Sequence, residues 1–137
     1  MSYATATALQ EAVYAHLTAD AALAAQVGGA IYDTPPQGAV PPLYVLLGEG
    51  EVRDASDAQV SGSRHDLLIR VIGEAGGFHA VKAVAGSITD LLQDAPLSLA
   101  RGALISLRFR RARAFKSGSG QRRQVDLRFV ARIEDTV

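Results

Sequence analysis

The stretch from Arg64 to Asp94 limits the possible folds of this chain more than any other, because a strand, a glycine turn and a helix follow one another there. Leu67, Leu68, Ile69, Val71 and Ile72 make an apolar run rich in β-branched residues, broken only by Arg70. Such a run suits a strand buried on much of both faces. Gly73, Gly76 and Gly77 end it. Phe78, Val81, Ala85, Ile88 and Leu92 then recur at spacings of three and four, the stripe of a helix lying on a sheet.

The rest of the chain supplies partners for that unit. Leu9, Val13 and Leu17 recur every fourth residue, predicting a helix from Ser2 to His16 or Leu17 with Ser2 as its cap. Asp20 caps a short helix, Ala21 to Gln26, closed by Gly28-Gly29. Ile31-Tyr32 reads as a brief strand entry. Residues 33–42 hold Pro35-Pro36 and Pro41-Pro42, which exclude helix interior and central strand and predict an extended surface arm. Leu43 to Leu47 resumes as a strand. Residues 48–63, acidic and poor in large apolar groups, read as a long mobile hairpin loop.

Leu104 to Phe115 and Gln121 to Glu134 form a hairpin about Ser117-Gly118-Ser119-Gly120. Val125, Leu127, Phe129, Ala131 and Ile133 alternate with polar neighbours, so they face a core. Ile105, Leu107 and Phe109 take the same face on the partner strand. Beyond Phe109 that parity passes to Arg111 and Arg113, so the strand outgrows the core and the hairpin projects as a basic arm. The expected architecture is one α+β domain over 1–137: an antiparallel sheet of about four strands with helices on one face and a projecting C-terminal β-hairpin.

Formal net charge is zero, but it is unevenly placed. Residues 1–100 carry four basic and eleven acidic groups, and residues 101–137 ten basic and three acidic. The two parts either neutralise each other within the fold or give a subunit an acidic and a basic side, suited to head-to-tail association. The strongest local signal is the cluster Arg108, Arg110, Arg111, Arg113, Lys116, Arg122 and Arg123. Three readings stay open for it: phosphate contact, a solvated strand face, or pairing with acidic groups of a neighbouring subunit such as Glu49, Glu51, Asp54 and Asp57. Phe109 and Phe115 are the only aromatic residues beside it, a poor supply for stacking bases.

Signatures of catalysis are missing. His16, His65 and His79 lack metal-ligand spacing, and no serine sits in a nucleophile elbow. Gly73-Glu74-Ala75-Gly76-Gly77 opens a helix, but it lacks the Lys-Ser/Thr of a phosphate loop, and Glu74 would repel phosphate. The chain has no cysteine, hence no disulfide or thiolate–metal site of its own. No apolar run nears the roughly 20 residues that span a bilayer, so no membrane partner is expected. Met-Ser-Tyr-Ala lacks the basic-then-apolar opening of a signal peptide.

Short motifs in a fixed order carry a resemblance. Leu9-Gln10, Gly28-Gly29, Ile31-Tyr32-Asp33, Pro35-Pro36, Pro42-Leu43-Tyr44-Val45 with Gly48, His65-Asp66 and Arg128-Phe129 are similar to the tail-completion or tail-terminator proteins of long-tailed bacteriophages. The alanine- and arginine-rich character also resembles the version carried by gene transfer agents. The resemblance implies a structural protein with neither enzymatic activity nor cofactor. It implies a ring, expected to be hexameric, that caps the tail tube, ends its growth and meets a head-side connector. Its place would be the head–tail junction of a particle assembled in the bacterial cytoplasm, with DNA passing through the ring. A head–tail connector or stopper ring, and a nucleic-acid-binding module using the basic hairpin, are the alternatives.

Overall fold

A computed structural model describes residues 2–74, 77–118 and 122–135. It is α+β, with three helices and a five-stranded sheet. The helices are α1 (Ala4–Ala19), α2 (Ala21–Val27) and α3 (His79–Leu92). The strands are β1 (Ile31–Tyr32), β2 (Leu43–Asp54), β3 (Gly62–Glu74), β4 (Ala103–Ser117) and β5 (Arg122–Glu134). They lie in the order β1-β2-β3-β5-β4.

The sheet is mixed, which corrects the expected four antiparallel strands: β1 runs parallel to β2, with Ile31 opposite Val45. The arm of residues 33–42 carries the chain back so that both strands point the same way, as any parallel pair requires. All other pairings are antiparallel.

One face of the sheet carries the helices. Val45, Leu47, Ile69, Val71, Val125, Leu127, Phe129, Ala131 and Ile133 are buried there with Leu9, Val13, Leu17, Leu23, Val81, Val84, Ile88 and Leu92. The helix stripe read from Phe78 onward is present, joined by Val84. Asp20 caps α2, its Oδ2 accepting from the Leu23 amide at 2.9 Å, and Gly28 ends that helix at φ +59°. The cap position of α1 is Tyr3, which makes no side-chain cap bond, so Ser2, expected as the cap, lies one residue before it. Ser2 Oγ accepts from the Ala4 amide at 3.1 Å, and α1 runs on to Ala19, beyond the expected end.

The acidic segment after Leu47 is not the long mobile loop its composition suggests. Backbone pairing with β3 carries β2 to Asp54, through an irregularity between Leu47 and Gly50, and leaves only residues 55–61 as the connection. Ladder hydrogen bonds belong to the backbone, so a strand can form here without large side chains to bury. Short bonds build the connection: Ser56 Oγ donates to Asp54 Oδ1 at 2.6 Å, and Asp57 Oδ1 accepts from the Gln59 and Val60 amides at 2.8 Å. These bonds hold both carboxyls below the usual aspartate range.

Two irregularities in β4 change which residues face the helices. Between Leu104 and Ser106, and again between Phe109 and Arg111, one extra residue enters the ladder. Ile105 is an inserted residue and is 53% exposed, so it leaves the core face assigned to it. After the second insertion Ala112 and Ala114, not Arg111 and Arg113, pair with Leu127 and Val125 on the helix side. Nor does the hairpin stand off as a free arm. β5 is paired to β3 along its length, from Gly62 opposite Glu134 to Glu74 opposite Arg122. Gly118, in the left-handed region at φ +62°, begins the hairpin turn. The Ser119, Gly120 and Gln121 assigned to that hairpin, and the Ala75-Gly76 of the glycine turn, lie outside the described residues.

Candidate functional site

Side chains alternate across a strand, and residues opposite one another in a ladder share a face. The observed register therefore sorts every strand residue. The face away from the helices receives Arg53, Arg64, Arg70, Arg108, Arg111, Arg113, Arg122, Arg128 and Arg132. Against these nine arginines stand six carboxylates: Glu51, Asp66, Glu74, Asp126 and Glu134 by register, and Glu49, which reaches Arg70 at 3.9 Å. The apolar residues buried on the same face, Tyr44, Leu46, Leu68 and Ile72, lie on β2 and β3, with Val130 and Phe115 half-buried on β5 and β4.

Charge is graded across this face. Glu49 and Glu51 sit on β2, and Arg108, Arg111 and Arg113 sit on the edge strand β4. Arg70 lies between Glu49 and Asp126, each at 3.9 Å, and Glu51 binds Arg53 at 3.0 Å. Arg113 rests over the Phe115 ring at 4.4 Å. Three pairs of arginines nevertheless stand directly opposite one another: Arg53 and Arg64, Arg64 and Arg132, Arg111 and Arg128. Arg53 and Arg64 are offset by Glu51 and Asp66, but Arg111 and Arg128 have no ion pair within 4.0 Å among the described residues, so they carry a repulsion that an anionic partner would relieve.

The basic cluster foreseen in the sequence is thus divided. Arg108, Arg111, Arg113 and Arg122 join the arginine face, and Arg110 is the inserted, exposed residue. Lys116 and Arg123 face the helix side, where Arg123 and Lys82 both approach the Phe78 ring, at 5.5 and 5.7 Å. Asp54 and Asp57 hold the β2–β3 connection. Sequence reasoning missed Arg53, Arg64 and Arg70 because they lie in the acidic part of the chain. Their period-two placement against Arg128 and Arg132 becomes visible only once strands are paired.

Beyond Phe109 the edge strand outreaches the helix layer and leaves a groove of about 390 Å³. Lys82, Ala85, Gly86 and Thr89 of α3 form one wall, and Phe109, Ala112, Ala114, Val125 and Leu127 the other. Small residues keep it open: nothing lies within 4 Å of where a Cβ on Gly86 would stand. Nearer the middle of β4, the segment after α3 covers the strand edge, with the Phe109 amide donating to Gln93 Oε1 at 2.8 Å and the Asp94 amide to the Leu107 carbonyl at 2.9 Å.

Residues of the ordered motifs are divided among the surface arm, the core and the arginine face. Tyr32 packs near Tyr44 with ring centroids 6.1 Å apart, and Asp33, Pro35 and Pro36 belong to the surface arm. Phe129 lies in the core, edge-on to Phe109 at 5.8 Å. Asp66 is on the arginine face, 3.7 Å from Arg64. His65 is 2% exposed on the helix face, its Nε2 2.7 Å from Ser63 Oγ and 3.4 Å from Thr5 Oγ1, a polar node tying α1 to β3. Burial pushes its pKa down, and neighbouring Asp66 opposes this. Among the described residues no group of three His, Asp or Glu could hold a metal, and no helix is long and apolar enough to cross a membrane.

Comparisons with known proteins bear on this geometry. A chain of a solved structure described as the virion of a native gene transfer agent particle is 49% identical, covers 97% of this chain and 99% of its own length, and superposes with a TM-score of 0.92. A second solved chain, 12% identical, covers 93% of this one and 94% of its own length at a TM-score of 0.59, which shows a shared fold alone. No match was found among curated proteins. The family described as tail completion protein gp17 matches residues 11–134, nearly the whole chain. The chain belongs to the tail completion protein gp17 family.

Proposed function

We propose that this protein is a non-enzymatic tail terminator of a phage-like or gene transfer agent particle. In this reading copies of the chain form a ring, hexameric by resemblance, that caps the tail tube, stops its growth and offers its other side to a head-side connector. Assembly takes place in the bacterial cytoplasm, and DNA passes through the ring at the head–tail junction. Family membership and the near-complete match to a chain of a gene transfer agent virion support the particle role. The observation that carries the assembly role is the arginine face, whose opposed like charges make the lone subunit electrostatically incomplete.

Deletion tests the reading directly. Particles made without this chain should have tails of uncontrolled length or tails that never join heads, seen by negative-stain microscopy. Normal head-joined tails would overturn it. Placing the chain within an intact particle separates a tail-tube cap from a head-side stopper ring.

A nucleic-acid-binding role is the second reading, favoured by the same arginines. It predicts that the isolated chain binds duplex DNA with an affinity falling steeply as salt rises. The terminator reading predicts little affinity for the isolated subunit.

A further inference from the structure

We propose that the groove between α3 and the outer half of β4 receives the β2–β3 connection of a neighbouring copy of this chain, with Val60 entering the groove and Asp57 meeting Lys82 and Lys116. The inference rests on the ring reading above and adds to it the contact that joins one copy to the next.

The two surfaces fit in chemistry. The groove is apolar, walled by Ala85, Phe109, Ala112 and Ala114, and Phe109 is left 40% exposed. Lys82 lines one wall, and Lys116 lies on the same side of β4, one alternation beyond Ala114. The connection presents the converse. Val60 is 37% exposed, a knob that is the one large apolar side chain on a turn otherwise made of alanine and polar residues. Asp57 sets its position by accepting from the Gln59 and Val60 amides, so the knob is preorganised and little ordering entropy remains to oppose docking. The bonds that fix the turn also keep Asp54 and Asp57 ionised to lower pH than usual.

A chain cannot satisfy its own groove. The connection leaves the sheet at Gly62, opposite Glu134, whereas the groove lies beside Leu127, opposite Ile69. Seven residues of strand separate these rungs, about 23 Å at the usual rise per residue. Knob and groove are also different patches, so the contact between copies is heterologous, the kind that closes into a ring when the rotation allows.

The absence of cysteine from the chain makes a clean cross-linking test. Particles carrying Val60→Cys with Ala112→Cys, treated with a mild thiol oxidant, should give a ladder of covalent oligomers under non-reducing conditions, and each single variant should stay at monomer mass. Normal tails that contain the double-cysteine chain but yield no ladder overturn the contact and leave the terminator reading standing. Normal head-joined tails in particles that lack the chain overturn that reading instead. If the double-cysteine chain does not enter particles, a charge reversal in the groove decides, because it leaves the turn held by Asp57 intact. Lys82→Glu with Lys116→Glu in one chain should lower incorporation on the order of tenfold, and unchanged incorporation overturns the contact.

Discussion

Arg111 and Arg128 stand directly opposite one another on β4 and β5, and neither has an ion-pair partner within 4.0 Å among the described residues. Arg128 borders a cleft with Glu49, Glu51 and Asp66. Arg111, on the edge strand, does not. Two exposed guanidinium groups on adjacent strands repel, and the carboxylates beside Arg128 do not extend to Arg111. We propose that the pair is placed to meet an anionic surface of a partner.

Arg111→Glu should therefore separate folding from assembly. Placing a carboxylate opposite Arg128 converts a repulsive cross-strand pair to an attractive one, stabilising the isolated chain by up to about 1 kcal/mol. The same change should reduce incorporation into particles. Thermal melts of the purified chain and quantitation of the chain in particles measure the two effects. A variant that melts higher and assembles normally would remove the arginine face from the assembly surface.

Acidification should weaken the fold through His65. Its folded-state pKa lies below the ordinary value of 6.5, so between those two pH values the unfolded chain binds more protons. Stability is then full above about pH 6.5 and falls as pH drops towards the folded value. His65→Gln should flatten that part of the stability–pH curve measured by urea unfolding. An unchanged slope would mean that other groups govern it.

Phe109 and Phe129 should be energetically coupled. Their rings meet edge-to-face at 5.8 Å across β4 and β5, an arrangement worth about 0.5–1.5 kcal/mol beyond burial. Phe129→Leu alone should cost more than Phe109→Leu, since Phe129 is buried and Phe109 is partly exposed. A double-mutant cycle in urea gives the coupling, and a value near zero would show that the ring contact adds nothing to packing.

Gly102→Ala should destabilise through backbone and space together. Gly102 holds φ +82°, and a Cβ there would lie 2.9 Å from the Glu134 carbonyl oxygen. The left-handed conformation alone costs a non-glycine residue roughly 1–2 kcal/mol, and the close approach to backbone adds to it. Gly28→Ala, at φ +59° with no atom within 4 Å of the added carbon, should pay only the conformational part. Comparing the two melting temperatures isolates the steric share.

Much of this protein is legible in its sequence. The central strand, the α3 stripe, the cap at Asp20 and the alternation of Val125 to Ile133 all follow from local periodicity and capping chemistry, which act over a few neighbouring residues. The ordered motifs from Leu9-Gln10 to Arg128-Phe129 were enough to suggest the family. What local pattern could not reveal was register. Val52 and its acidic neighbours became strand because β3 lay beside them, and a backbone ladder does not ask for large side chains. The inserted residues of β4 turned Ala112 and Ala114 towards α3 and Arg111 and Arg113 away, reversing the parity that simple alternation implies. Arg53, Arg64 and Arg70, drawn from the acidic part of the chain, came to share a face with Arg128 and Arg132 through pairings between residues far apart in sequence. Composition had already marked this chain as one with separated charge; only the pairing of its strands could decide that the separation runs between and across sheet faces, because a cross-strand neighbour is chosen by the ladder and not by the residues beside it in the chain.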